Sequence, residues 1–161
     1  MAYIGTTDTY VTFDQVRFAL GVAEAEVSDA DITPPGIEQD LEMELADWLP
    51  DGQDTDTIYT EGTEGTPTAT QRRTFYSLSN YLRYYAAYLI ATTAGMKFAR
   101  RISDKSNDFE RNPWQDDALQ RQLLSQANAA KNQFLTLIGE TVEDETTFMG
   151  VAAPDFDPIT G

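Results

Sequence analysis

Residues 75–89 have the sequence FYSLSNYLRYYAAYL, in which bulky apolar side chains recur with the period of an α-helix. Five of them share one face at that spacing: Phe75, Leu78, Leu82, Tyr85 and Leu89. The pattern continues on both sides and predicts a helical region from about Ala69 to Ser103, which would span about 50 Å if unbroken. Thr92, Thr93 and Gly95 weaken its middle, so we expect a bend there.

Shorter helices are predicted on both sides of this region. Thr12-Phe13-Asp14-Gln15 matches a capping box, which begins a short helix that Gly21 ends. Apolar residues recur at helical spacing from Ile37 to Leu49, opposite a strongly acidic face, and this pattern predicts an amphipathic helix. A last helix is predicted from about residue 113 to residue 138. The sequence therefore predicts an all-α fold, a bundle of three or four helices.

Segments without helical periodicity complete the predicted organisation. Residues 1–139 are expected to form one helical domain, which begins with an extended N-terminal arm over residues 1–11. Residues 51–68 are rich in Asp, Thr, Glu and Gly, which predicts a long acidic loop that is functional or mobile. Residues 140–161 are predicted to form an extended C-terminal arm. Four apolar side chains are its candidate anchors: Phe148, Met149, Phe156 and Ile159.

The charge of the chain changes sign along its length. The 161 residues include 11 Lys and Arg and 27 Asp and Glu, which gives a formal net charge of −16. Residues 1–65 carry 16 acids and one base, Arg17. Residues 66–139 carry ten bases and five acids, and residues 140–161 carry six acids and no base. Two explanations stay open: surfaces of opposite sign that dock on neighbouring molecules, or basic helices that face acidic ones within the bundle.

The composition argues against several classes of function. A strongly acidic surface repels phosphate and anionic lipid, which disfavours a DNA- or RNA-reading module and a membrane-binding face. The chain has no His and no Cys, which removes thiol nucleophiles, Cys or His zinc sites and Ser–His or Cys–His pairs. The sequence shows neither a signal peptide nor an apolar stretch of about 20 residues, so we expect a soluble protein.

Carboxylates are the remaining candidates for chemistry. The densest cluster in the predicted loop lacks the spacing of an EF-hand, which favours a solvated loop over a metal site: Asp51, Asp54 and Asp56. A second set lies on a polar helix face, where no apolar stripe could raise a pKa for acid–base catalysis: Glu38, Glu42 and Asp47. We therefore predict no catalytic, metal or cofactor site, and the protein is not expected to be an enzyme.

Two groups of residues are predicted to contact partners or other subunits. Three tyrosines of the long helix are too many to hide in a small bundle, which favours an interface: Tyr81, Tyr84 and Tyr88. A basic cluster at the end of that helix is either a solvated helix end or a docking site for an acidic surface, such as another copy's residues 38–64. Its members are Lys97, Arg100, Arg101, Lys105 and Arg111.

One segment resembles a known family. Tyr10-Val11-Thr12-Phe13-Asp14-Gln15-Val16-Arg17-Phe18-Ala19-Leu20-Gly21-Val22 is similar to the start of head–tail connector (adaptor) proteins of tailed bacteriophages. Their first helix typically ends in a Leu-Gly-Val-like step, and an acidic segment like Val27-Ser28-Asp29-Ala30-Asp31-Ile32 follows it. The order of helices and a C-terminal arm like Pro154-Asp155-Phe156-Asp157-Pro158 are similar as well.

The resemblance implies a virion structural protein, made in the host cytoplasm and located in the neck between capsid portal and tail. It would form a ring, usually of twelve copies, under the portal, with arms that contact the portal, neighbouring subunits or tail proteins. DNA would pass through the ring without sequence-specific binding. An alternative from another class stays open: an acidic DNA mimic that inhibits a nucleic-acid enzyme through residues 38–64.

Overall fold

The computed structural model describes residues 2–24, 27–33, 36–102 and 117–139, most of which are helical. Two short strands come first, β1 (Ile4–Gly5) and β2 (Val11–Thr12). The helices then follow in chain order: α1 (Phe13–Leu20), α2 (Asp29–Ile32), α3 (Ile37–Trp48), α4 (Thr55–Thr63), α5 (Ala69–Ile102) and α6 (Asp117–Ile138). Within these residues no helix combines the length and apolar character needed to cross a bilayer.

Helix α5 is the element on which most others pack. It contacts α1, α3, α4, α6 and β2, and its buried face includes Leu78, Leu82 and Ile90. The predicted extent of this helix is confirmed to within one residue. The helix is continuous through Thr92 and Thr93, whose hydroxyl groups both donate to the Leu89 carbonyl oxygen. The sequence placed the long helix correctly because its apolar period is sustained over many turns.

The two predicted ends of α1 are confirmed. The Thr12 amide donates to the Gln15 side chain at 2.9 Å, and the Gln15 amide donates to the Thr12 hydroxyl at 3.3 Å, so the capping box is present. Gly21 ends the helix with a φ of 71°, in the left-handed region that glycine adopts without a steric cost. Local side-chain chemistry was sufficient to predict both boundaries.

The prediction of one long acidic loop over residues 51–68 is wrong at its centre. Helix α4 occupies Thr55–Thr63, and Asp54 caps it by accepting hydrogen bonds from the Thr57 amide at 3.0 Å and the Thr57 hydroxyl at 2.9 Å. The helix buries Ile58 and exposes most of its other side chains to water. Its apolar face is too narrow to produce a clear period in the sequence, so the polar composition suggested a loop.

Gly62 brings α4 close to α5. A Cβ atom at this position would lie 2.4 Å from the Cβ of Phe75, closer than two such atoms approach in folded proteins. The Phe75 ring in turn lies 5.7 Å from the Tyr59 ring and 5.4 Å from the Tyr10 ring, measured between centroids. The segment predicted as a loop is therefore joined to the N-terminal residues and α5 by one aromatic cluster.

The N-terminal residues, predicted as an extended arm, pack on the helices and form two short strands, so the fold is mostly helical and not all-α. Strands β1 and β2 pair in parallel, with Ile4 opposite Val11, and both residues are buried. The amides of Tyr3 and Ile4 donate to the two carboxylate oxygens of Glu38 at 3.0 and 3.1 Å. Residues 3–12 pack because apolar and aromatic side chains cover the helices while Glu38 satisfies two backbone donors. The predicted C-terminal arm, residues 140–161, lies outside the described residues.

Candidate assembly surfaces

Arg17, the single base of residues 1–65, is used inside the fold. Its side chain is 5% exposed, and its Nε donates to the Val27 carbonyl oxygen at 2.8 Å. The guanidinium also pairs with the carboxylates of Asp14, at 2.9 Å, and Asp29. Burial lowers the pKa of Arg17, but the hydrogen bonds to Asp29 and Asp14 outweigh burial and raise it above its usual value. This cation therefore links α1 to α2 through Val27 and Asp29.

The outer side of α3 is acidic with an apolar centre. Ile37, Leu41 and Leu45 are buried, whereas Met43 is 64% exposed. At about 100° per residue, Met43 lies about 200° around the helix from Leu41, so it points away from the core. Exposed acids lie on both sides of it, and together these residues define the α3 face: Asp40, Glu42, Met43 and Asp47.

A basic and aromatic patch lies in the first two turns of α5. Arg72, Arg73 and Tyr76 are exposed, Tyr76 by 59%, and these residues define the α5 patch. They share one side of the helix, because Tyr76 is four residues from Arg72 and three from Arg73. Neither arginine forms an ion pair with another described residue. Cations near a helix N-terminus oppose the helix dipole, so this position does not stabilise α5 by itself.

Other cations of residues 66–139 pair with aromatic rings. The Arg83 guanidinium lies 4.4 Å from the centre of the Tyr84 ring, and the Lys131 ammonium lies 5.0 Å from the centre of the Trp48 ring. These contacts are cation–π interactions. These two cations therefore contact aromatic rings of the same molecule, and both explanations of the charge distribution stay open.

Of the three tyrosines predicted at an interface, Tyr81 is a core residue. Its side chain is 1% exposed, and its hydroxyl donates to Oε1 of Glu44 at 3.1 Å. Tyr85 donates to Oε2 of the same carboxylate at 3.1 Å, and the two phenol rings stack with centroids 5.5 Å apart. The interface prediction is corrected for Tyr81, because α3 supplies an internal acceptor that lets the phenol be buried.

Tyr84 and Tyr88 are half-buried on α5. Tyr88 lines an open groove of about 350 Å³ together with Gln120, Arg121 and Leu124 of α6. Part of each ring is accessible, so their predicted role in partner contacts stays a prediction.

The other predicted contact residues fall where the structure gives no side-chain positions. The backbone of Lys97, Arg100 and Arg101 belongs to α5, and their side chains lie outside the described part of the chain. Lys105 and Arg111 lie outside the described residues, as do the candidate anchors of the C-terminal arm: Phe148, Met149, Phe156 and Ile159.

Two of the carboxylates considered for chemistry, Asp54 and Glu38, have structural roles in the fold. Asp54 caps α4, and the hydrogen bonds from the Thr57 hydroxyl and amide lower the pKa of Asp54 below its ordinary value. Glu38 accepts two backbone hydrogen bonds from the N-terminal residues. Among the described residues, no three acidic side chains are grouped so that they could hold a metal ion. The remaining exposed acids contribute surface charge.

The pair of tyrosines at Glu44 predicts an alkaline loss of stability. Burial first, and then the Glu44 carboxylate, raise the pKa of Tyr85 from 10.0 to about 12. Because the folded state favours the neutral phenol, its contribution to the free energy of unfolding is complete below pH 10 and is lost as the pH rises towards 12. Chemical denaturation of the wild type and Tyr85→Phe across this range measures the effect. Between pH 10 and 12 the variant should lose less stability than the wild type. Parallel plots of stability against pH would contradict the raised pKa of Tyr85.

The sequence predicts the acidic side of α3 but neither the α5 patch nor the exposure of Met43. The helical pattern of α5 is defined by its apolar residues, whereas Arg72, Arg73 and Tyr76 lie before or beside that apolar face. The signal for Met43 was available, because it lies opposite Leu41 and Leu45 in the predicted helix period. An apolar residue in the centre of an acidic helix face is an ordinary single exposure by itself. The exposure of Met43 suggests a contact surface only together with a basic surface that could dock on the same face.

Comparison of the chain with protein-family models, with curated proteins and with solved structures finds no match.

Proposed function

We propose that the chain is a virion structural protein, a head–tail connector that forms a ring under the portal of a tailed bacteriophage. In this proposal the helical domain joins capsid to tail, its C-terminal arm contacts the portal, a neighbouring subunit or a tail protein, and DNA passes through the ring. The observation that carries the proposal is the presence of two exposed surfaces of opposite charge, the α3 face and the α5 patch. Surfaces of opposite sign, each with an exposed bulky side chain, suit a subunit that contacts its neighbours.

The helix that carries the family resemblance supports the same proposal. Its capping box and its Gly21 end are present, and the buried side chains of α1 are Val16, Arg17 and Leu20. Phe18, in the middle of the resembling segment, is 82% exposed. A phenylalanine that covers none of the core is available for a contact with another chain, as a structural subunit requires.

Assembly of the purified protein tests the proposal. We expect sedimentation to show larger species as the concentration rises, and we expect electron-microscopy class averages of those species to show closed rings. Salt screens charges at the surface, so the larger species should decrease at high ionic strength. A protein that stays monomeric at every concentration and in low salt would overturn the connector proposal.

The acidic DNA mimic is the second candidate, and the exposed acids of the α3 face favour it. A mimic acts as a soluble decoy, so it predicts a monomer that displaces duplex DNA from a nucleic-acid enzyme in a competition assay. The exposed arginines of the α5 patch weaken this alternative, because a surface that imitates DNA gains nothing from cations. Ring formation without displacement of DNA would exclude the mimic.

A further inference from the structure

The α5 patch and the α3 face have complementary charge and complementary side chains. The patch presents two arginines beside the Tyr76 ring, and the face presents carboxylates around the Met43 side chain. The patch arginines have no ion-pair partner among the described residues and do not favour the helix dipole. We propose that the α5 patch of one copy docks on the α3 face of the next copy. This proposal rests on the proposed ring-forming function and names the contact that would build the ring.

Each part of the proposed contact has a known physical role. Arginine forms paired hydrogen bonds with a carboxylate, which makes Arg72 and Arg73 suited to Asp40 and Asp47. The Met43 thioether can lie against the Tyr76 ring, since sulfur and aromatic groups attract each other at close range. Arginine and tyrosine are also enriched among the residues that dominate binding at protein interfaces. The contact would bury two of the most exposed apolar side chains of the described surface.

A contact between two different patches can build more than one type of assembly. They lie on different helices, so two copies can be joined by two reciprocal contacts across a twofold axis, which gives a dimer, or by one head-to-tail contact. Such a heterologous contact closes into a ring when the rotation between copies divides a full turn, and otherwise continues as a filament. A contact between two identical surfaces would stop at a dimer. The ring requires the head-to-tail form of the contact, and a species that stops at a dimer would overturn that form.

Duplex DNA is the other occupant that two exposed arginines could suggest. The neighbouring acids of this chain, with a net charge of −16, repel phosphate, so two arginines are a weak basis for DNA binding. DNA binding therefore becomes an outcome of the test. If the wild type binds a labelled duplex and Arg72→Glu plus Arg73→Glu abolishes that binding without changing assembly, the proposed contact is overturned.

Charge reversal on both sides provides the decisive experiment. The first variant carries Arg72→Glu and Arg73→Glu, and the second carries Asp40→Arg and Asp47→Arg. Each variant alone places like charges in every contact, so we expect each to lose the species larger than monomer. In an equal mixture, the acidic patch of the first variant meets the basic face of the second. The basic patch of the second still meets the acidic face of the first. We therefore expect the mixture to recover assembly with strictly alternating copies.

Matched variants separate the contact from general effects of charge and folding. Asp51→Arg plus Glu64→Arg makes the same charge change as the second variant at exposed acids outside the α3 face, and it should assemble like the wild type. Met43→Ala and Tyr76→Ala leave the charge unchanged and should each weaken assembly. Circular dichroism must show the same helical signal for all variants, and a variant that loses this signal is replaced by Arg72→Gln plus Arg73→Gln or by Asp40→Asn plus Asp47→Asn.

The possible outcomes distinguish this contact from the proposed function. If the wild type forms rings and both charge-reversal variants form them equally well, the contact is wrong while the connector proposal stands. If the two variants lose assembly but their mixture does not recover it, the pairing of these two surfaces is wrong. If the wild type never assembles, the connector proposal fails first.

Discussion

Replacing Arg17 with methionine is expected to lower the free energy of unfolding by about 2–4 kcal/mol. Methionine keeps most of the buried volume but removes every hydrogen bond of the guanidinium. The Val27 carbonyl oxygen then loses the Arg17 Nε donor at 2.8 Å, and a buried acceptor without a partner is costly. Hydrogen bonding to this carbonyl should therefore be the largest part of the loss.

The ion pairs of Arg17 with Asp14 and Asp29 contribute less to stability than its hydrogen bond to the Val27 carbonyl oxygen. The side chain of Asp14 is 90% exposed and that of Asp29 is 50% exposed, so water already screens their attraction to Arg17. Removal of Arg17 nevertheless leaves Asp14, Glu24 and Asp29 without the cation around which they lie. Their mutual repulsion should make the variant more dependent on salt than the wild type, since salt screens exposed charges.

Urea denaturation of both proteins in low and high salt measures the Arg17 effect. We expect the difference in free energy of unfolding to become smaller in high salt but to remain above half of its low-salt value, because the lost hydrogen bond to Val27 is not screened. Asp14→Asn is the matched control and should change stability by less than about 1 kcal/mol. A methionine variant as stable as the wild type would contradict the stabilising role assigned to the hydrogen bonds of Arg17.

The residues that decide local structure were sufficient to predict most helix boundaries. Thr12 and Gln15 begin α1, Gly21 ends it, and Gly139 follows α6 with a φ of 83°. These features depend on a few neighbouring residues, so a single sequence contains them. The extent of α5 was also predictable, because its apolar period continues over many turns.

The features that the sequence analysis missed depend on residues far apart in the chain. The N-terminal residues fold because Glu38 accepts their amides, and α4 packs because Gly62 leaves room for Phe75. Tyr81 is buried because Glu44, 37 residues earlier, accepts its hydroxyl hydrogen bond. No local pattern contains these pairings, which arise when helices meet.

The charged residues show the same division between local and distant information. The sequence separated acidic and basic segments correctly, and it identified Arg17 as the lone base of the first segment. It could not show that Arg17 is buried and paired with Asp14 and Asp29, or that Arg83 lies over Tyr84. Charge arithmetic along the chain therefore predicted the sign of each surface but not which cations remain available to a partner.

Replacing Phe134 with alanine is expected to lower the free energy of unfolding by about 3–5 kcal/mol. The Phe134 ring is completely buried and meets the Trp48 ring edge-on, with centroids 5.7 Å apart. Trp48 also meets the Tyr81 ring, with centroids 4.8 Å apart, so the last turn of α3 is held between α5 and α6. Alanine would leave a cavity at this joint, and the cost of a cavity adds to the lost apolar burial.

Urea denaturation followed by circular dichroism measures this loss. Gln133→Ala is the matched control, because Gln133 is an exposed neighbour on α6 and its replacement should change stability by less than about 0.5 kcal/mol. Phe134→Leu fills part of the cavity, so its loss of stability should lie between those of Phe134→Ala and Gln133→Ala. A loss below about 1 kcal/mol in Phe134→Ala would contradict the packing of Trp48 between Tyr81 and Phe134.

The same joint determines how α3 presents its outer face. Trp48 and Glu44 are one helical turn apart on α3, and both attach that helix to α5 through Tyr81. Phe134→Ala and Glu44→Gln therefore weaken the same attachment, and their effects on stability should depart from additivity by about 0.5–1 kcal/mol. Strict additivity in the double variant would mean that the Trp48 joint and the Glu44 hydrogen bonds hold α3 independently. Coupling between them would mean that α3, with Met43 and its flanking acids, is held on α5 as one rigid element.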